Sequence, residues 1–186
     1  MINGNAKEPD KLASRAVELL SEFKNSMQAL SSLTPIPTLR SPYDWVVPPP
    51  GRLKLNTSVA FQRHSLRIGV GAAIMDSNGK VLAARSHSLV GSFYVEVGRM
   101  LEFRKGLMLA KFYNLPVSIA ECSSSSVVSS ICCLSSNLED THFIDNDIKA
   151  LFSNVGICKC QDSSRKGNSL AHNLTSIAFS SIRHII

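Results

Sequence analysis

Four residues, Asp76-Ser77-Asn78-Gly79, lie between two apolar runs, and they limit the folds open to this chain more than any other segment. Asn-Gly in that setting is a hairpin signal, because both residues accept the positive φ that a tight turn demands. The turn therefore implies a sheet. Arg67 to Met75 reads as one strand and Val81 to Leu89 as the returning one. Upstream, Leu53 to Phe61 alternates well enough for a third strand. Beyond the hairpin the period changes. Val97, Met100, Leu101, Phe103, Leu107, Met108 and Phe112 recur at helical spacing, so Val95 to Tyr113 reads as a helix closed near Asn114 and Pro116.

The remaining elements follow in the same way. Val117 to Cys122 is a short strand that runs into Ser123 to Ser126, and a serine-capped helix is expected from there to about Leu134. Residues 137–147, with Glu139, Asp140, Asp145 and Asp147, read as an acidic loop leading into a short helix over Asp147 to Phe152. Ile157 to Asp162 gives a last strand and Asn168 to Ile182 a last helix. The order βββαβα(α)βα implies an α/β fold, a five-stranded mixed sheet flanked by helices.

Ahead of this domain, Leu12, Ala16, Leu19, Leu20, Phe23, Met27 and Leu30 mark an amphipathic helix over residues 9–32. Residues 34–50 carry Pro35, Pro37, Pro42, Pro48, Pro49 and Pro50. Proline fixes φ and removes a donor, so this stretch is an extended linker. The division expected is 1–33 helix, 34–50 linker and 51–186 folded domain. The helix must bury its apolar stripe on the domain or on another protein.

The formal net charge is +6, and residues 1–50 are balanced, with five basic and five acidic side chains. The excess therefore belongs to residues 51–186. A basic folded part suits a nucleic-acid partner; solubility alone is the competing explanation. Cys122, Cys132, Cys133, Cys158 and Cys160 are odd in number and contain no Cys-x-x-Cys, which reads as buried small apolar residues rather than a disulfide frame or metal centre. No secretory signal opens the chain and no apolar run has the length of a membrane span. A reduced intracellular compartment, nucleus or cytoplasm, is expected.

Three segments carry a resemblance. Trp-x-x-Pro-Pro-Pro-Gly-Arg-Leu-Lys-Leu-Asn runs from Trp45 to Asn56. The glycine-rich strand Gly69-Val70-Gly71-Ala72-Ala73-Ile74-Met75 precedes the turn. Gly167-Asn168-Ser169-Leu170-Ala171-His172-Asn173-Leu174 opens the last helix. Together they resemble the ribonuclease-H-like domains of plant retroelement-derived, reverse-transcriptase-associated proteins, in the type-I ribonuclease H superfamily, over about residues 45–180. The resemblance implies a ribonuclease-H-like fold and metal-dependent cleavage of the RNA strand of an RNA–DNA hybrid by four carboxylates. Mg2+ or Mn2+ would be the cofactor of an active member.

On that alignment the carboxylate positions fall on Ser58, Arg99, Ser123 and His172. The first strand's Leu-x-Val-Asp-Gly-Ala is Leu55-Asn56-Thr57-Ser58-Val59-Ala60, and the fourth strand's Glu-Ser-Asp-Ser is Glu121-Cys122-Ser123-Ser124. Arg99 lies seven residues before Gly106, where the family has glutamate. His172 stands where the family accepts aspartate or histidine. Two-metal hydrolysis needs hard anionic oxygens around two cations about 3.5–4 Å apart, and neutral hydroxyls with an arginine do not supply them. The expectation is a catalytically impaired nucleic-acid-binding domain. Arg99, Arg165, Lys166 and Asn168 are the candidate nucleic-acid contacts, with Arg99 filling the vacated pocket against Ser58 and Ser123. Two alternatives remain: a displaced metal site built from Glu96, Glu102, Glu121 and His172, and a protein–protein module that uses the N-terminal helix.

Overall fold

The computed structural model describes residues 45–62, 65–132 and 141–180, together with Ser21. The helix expected over 9–32 and the linker up to residue 44 otherwise lie outside the described residues. Five strands form one sheet: β1 (Leu53–Phe61), β2 (Arg67–Met75), β3 (Val81–Val90), β4 (Val117–Cys122) and β5 (Lys159–Asp162). Their order is β3-β2-β1-β4-β5. β1 and β3 run antiparallel to β2, whereas β4 runs parallel to both β1 and β5. The helices are α1 (Val95–Phe112), α2 (Ser125–Cys132), α3 (His142–Val155) and α4 (Ser169–Ser180). This is the mixed α/β sheet expected from the element order.

The hairpin closes as its residues require. Asp76 Oδ1 accepts from the backbone N–H groups of Asn78 and Lys80, both at 2.9 Å, and Gly79 sits at φ 75°. A second turn leads the chain into β1: the Arg52 N–H donates to Pro49 O at 3.0 Å, with Gly51 at φ 72°. Proline followed by glycine suits such a turn, since Pro50 presets its own φ and Gly51 carries the left-handed one.

Two cores form on the two faces of the sheet. Leu55, Ala72 and Ile74 pack with Phe103, Leu107, Val127, Ile148 and Val155 beneath α1, α2 and α3. On the other face Ala73 and Met75 pack with Leu170, Leu174 and Ile177 of α4, with Trp45 and Val81 at the margin. The α4 side is very close. A Cβ on Gly71 would lie 2.0 Å from Ala171 O and 2.8 Å from Leu174 Cβ, and one on Gly69 would lie 2.5 Å from Thr175 O. The glycines of β2 thus let the backbone of α4 rest directly on the sheet.

Some boundaries differ from expectation. α3 begins at His142, inside the stretch read as an acidic loop, and is 14 residues long. Its stripe of Ile144, Ile148, Leu151, Phe152 and Val155 keeps helical spacing, and Asp145 suits a first turn. Asp145 is buried, yet it is paired with Lys149 at 2.6 Å. Met108 and Phe112, read as part of the apolar face of α1, are exposed. Ser124 caps α2, its Oγ accepting from the Val127 N–H at 3.4 Å. Of the cysteines read as buried, Cys122 is, whereas Cys132 and Cys158 are exposed.

The contact between β2 and α4 gives a direct test. Gly71→Ala should force α4 off the sheet and cost about 1–3 kcal/mol, as overpacking does. Urea denaturation of the two proteins reads this as a lower midpoint with an unchanged slope.

Candidate functional site

Side chains alternate along β1, and this alternation divides the polar residues of the domain's centre into two sets. Lys54, Asn56 and Ser58 face α4: Asn56 is opposite Ala73, and Ser58 is opposite Gly71, on which α4 rests. Leu55 and Thr57 face α1. A Cβ on Gly106 would meet the Thr57 methyl at 2.3 Å, so α1 lies as close to β1 as α4 does to β2.

The α4-side set is an ionic cluster. Lys54 and Glu121 are both buried, with Nζ 2.7 Å from Oε1. Gln161 Nε2 donates to the same oxygen at 2.6 Å, and Asn56 Nδ2 donates to Oε2 at 3.0 Å. Three of about four lone-pair sites of this carboxylate are therefore filled. Lys54 Nζ also donates to Val46 O and lies 5.6 Å from the centroid of the Trp45 ring, at cation–π range. Trp45 Nε1 donates to Asn56 Oδ1 at 3.3 Å. The segment Trp45 to Asn56 thus folds back on itself to cover a buried ion pair.

The α1-side set centres on Glu102. It is fully buried, and Thr57 Oγ1 lies 2.8 Å from its Oε1. Oε2 has no partner among the described residues. Burial pushes its pKa up to about 8, against the smaller opposing effects of the Thr57 hydroxyl and Arg99. At neutral pH the group is mostly the neutral acid. Glu121 O is 3.4 Å from the same Thr57 hydroxyl.

At the start of α4, Asn168 Nδ2 donates to Thr57 O and ties the helix to β1. Its Oδ1 is buried without a partner among the described residues. Arg165 Nη2 lies 2.6 Å from His172 Nε2. A guanidinium only donates, so Nε2 accepts and the imidazole is neutral with its proton on Nδ1. Burial first, and then Arg165, lower the His172 pKa, in agreement with that pairing. Lys166 is exposed beside them.

Several residues singled out in the sequence do not meet. Arg99 was expected against Ser58 and Ser123; instead it lies on α1 with Nη1 3.9 Å from Glu96 Oε2, and no hydrogen bond joins it to either serine. Ser58 is buried on the α4 face, whereas Ser123 is exposed. Glu96 accepts from Ser126 Oγ at 3.1 Å. Glu102 and Glu121 point to opposite faces of the sheet, so Glu96, Glu102, Glu121 and His172 form no common cluster. Lys54, Asn56, Gln161 and Trp45 were not candidates in the sequence reading. Trp45, Lys54 and Asn56 do belong to the segment that carries the resemblance, which was a signal of fold rather than of a buried ion pair.

The reverse transcriptase-like family profile matches residues 56–178. The chain belongs to that family. No curated protein shows significant sequence similarity to it. Among solved structures it is similar to RNase H1 from the halophilic archaeon Halobacterium salinarum NRC-1, at 15% identity and a TM-score of 0.62, over 71% of this chain and 100% of that one. LC11-RNase H1 in complex with an RNA/DNA hybrid matches at 17% identity and 0.57, over 66% and 93%. A foamy viral protease-reverse transcriptase in complex with dsDNA matches at 15% and 0.56, over 70% and 95%. These likenesses establish the RNase H-like fold for this family member.

The described side chains of this reverse transcriptase-like domain do not assemble a ligand set for the divalent metal that RNase H-like enzymes use. Among the described residues no group of three or more His, Cys, Asp and Glu side chains is placed to hold a metal ion. Glu121, the carboxylate nearest the start of α4 on that face, is held by an ammonium and two amides; Glu102 lies across the sheet.

Two measurements probe these sets. Lys54→Met leaves Glu121 buried without its cation and should cost about 3–5 kcal/mol; adding Glu121→Gln should recover much of it. Denaturant unfolding of the single and double variants checks the coupling. Glu102 binds a proton in the folded state that the unfolded chain releases above about pH 4.5. Its contribution is therefore fully present below pH 4.5 and is lost as pH rises to about 8, at up to roughly 1.4 kcal/mol per pH unit. Glu102→Gln should flatten that decline and leave the variant more stable than the parent at pH 8, by thermal melts from pH 5 to 8.5.

Proposed function

We propose that this domain binds nucleic acid, with an RNA–DNA hybrid as the expected duplex, and that it cleaves the hybrid poorly or not at all. The fold neighbours supply the ligand class: one was solved with an RNA/DNA hybrid and another with dsDNA. The basic balance of residues 51–186 agrees with such a partner. The observation that carries the impairment is the state of Glu121. Lys54, Asn56 and Gln161 hold this buried carboxylate, so a cation would have to displace an internal ammonium to reach it. Ser58, Arg99 and Ser123, at positions the resemblance assigns to carboxylates, add neutral hydroxyls and a positive charge.

Binding on this reading uses phosphate contacts at the start of α4, with Arg165 and Lys166, and Arg99 on the flank of α1; Asn168, singled out in the sequence for the same role, is buried with its Nδ2 on Thr57 O and positions the helix instead. Arg165 is exposed and already oriented by His172, which leaves its remaining N–H groups for a phosphate. The N-terminus of α4 adds a favourable field for an anion. The association would be electrostatic and salt-sensitive.

A labelled RNA–DNA hybrid, incubated with the full chain in Mg2+ and then Mn2+, tests both halves. The expected result is a retained, uncut hybrid, with affinity reduced about tenfold in Arg99→Glu/Arg165→Glu, the scale of one or two lost phosphate contacts. Cleavage that disappears in His172→Ala would overturn the impairment and favour an enzyme with displaced carboxylates. Absence of retention at low salt would overturn the binding.

A further inference from the structure

The flank of α1 that faces β3 carries a second concentration of basic side chains, on the face of the sheet opposite α4. Arg85 is opposite Ala72 and His87 is opposite Val70 in the β2–β3 ladder. Ala72 and Ala83 belong to the core beneath α1, so by alternation Arg85 and His87 stand on the α1 side of this edge strand. Ser86, between them, points the other way and donates to Leu174 O of α4 at 2.7 Å. From α1, Lys105 reaches the same seam. Arg85 is exposed, and His87 and Lys105 are half-buried.

These three groups act on one another. Burial, then Lys105 and Arg85, push the His87 pKa down. Burial, then Arg104 and Arg85, do the same to Lys105. Arg104 is neutralised by Asp147 at 2.7 Å, but among the described residues no carboxylate pairs with Arg85, His87 or Lys105. The cations of Arg85 and Lys105, held near each other without a counter-ion, repel, and an anion at the seam relieves that cost. An arginine fork, an ammonium and an imidazole are a donor set suited to phosphate oxygens.

We propose that Arg85, His87 and Lys105 form a second phosphate-binding patch, which holds the backbone of a nucleic acid along the β3–α1 seam. Its choice of ligand rests on the nucleic-acid reading above, but the patch itself is defined by the seam. A duplex or its single-stranded extension that meets the start of α4 would be gripped again on the α1 side of the β3 edge. The patch would add affinity without reading sequence, since it contacts phosphates only.

Binding of the labelled hybrid to the full chain is measured against salt for the parent, for Arg85→Gln/Lys105→Gln and for the milder Arg85→Gln alone. The double variant should bind about tenfold more weakly, with a log–log salt slope shallower by about 2. The single variant should show a slope shallower by about 1. Unchanged affinity and slope in both variants overturn the patch while leaving the nucleic-acid reading intact. If the parent does not bind the hybrid, that reading fails, and inorganic tripolyphosphate decides the patch. A His87 imidazole NMR shift on titration, lost in the double variant, supports a phosphate site that takes free polyphosphate. No shift overturns the patch.

Discussion

The ion pair of Lys54 and Glu121 is the constraint around which the centre of this domain is arranged. Both charges are buried, so each needs its partner and further hydrogen bonds to offset the loss of water. Those bonds come from separate parts of the chain: Asn56 of β1, Gln161 of β5, and Val46 and Trp45 of the entering segment. The cluster therefore ties β1, β4 and β5 to one register and fixes the path by which the chain enters the sheet. A slip of one residue in β1 would turn Lys54 into the apolar core beneath α1. The pair specifies the arrangement, whatever its net contribution to stability.

The same pair shapes the chemistry open to the site. A carboxylate satisfied by an internal ammonium is a poor ligand for an external cation, because binding would strand a buried lysine. Glu102 is withdrawn in another way. Burial keeps it protonated near neutral pH, and a neutral acid is a donor rather than a metal ligand. The two glutamates are only a strand's thickness apart, yet one is neutralised by a partner and the other by a proton.

The five strands and α1 were legible because their signals are local. The Asn78-Gly79 turn, the alternation of β1 and the helical spacing from Val95 all agree with what long-range packing later demands. α3 was legible only in part, since Asp145 and Asp147 read as loop residues when charge is weighed ahead of spacing. The site was less legible still. Family spacing pointed to Ser58, Arg99, Ser123 and His172, but spacing does not say which face a side chain joins. It could not reveal that Lys54 turns inward, since an exposed lysine is the ordinary case. Arg99 was misplaced for a related reason: a helix position three residues from Glu96 finds that neighbour before it finds a sheet.

The burial of Ser58 limits which side chains position 58 can carry in this packing. Ser58 is 3% exposed, between Gly71 and the first turn of α4, where a hydroxyl is small and neutral. A carboxylate there would be a buried anion four residues along β1 from Lys54, whose ammonium is already committed to Glu121. Without a metal it would have no cation of its own; with one, it would compete for water-poor space in which Asn168 Oδ1 already lacks a donor. With serine at position 58, α4 rests on β2 and β1 without leaving a charge unpaired there, and that packing makes a carboxylate at this position costly.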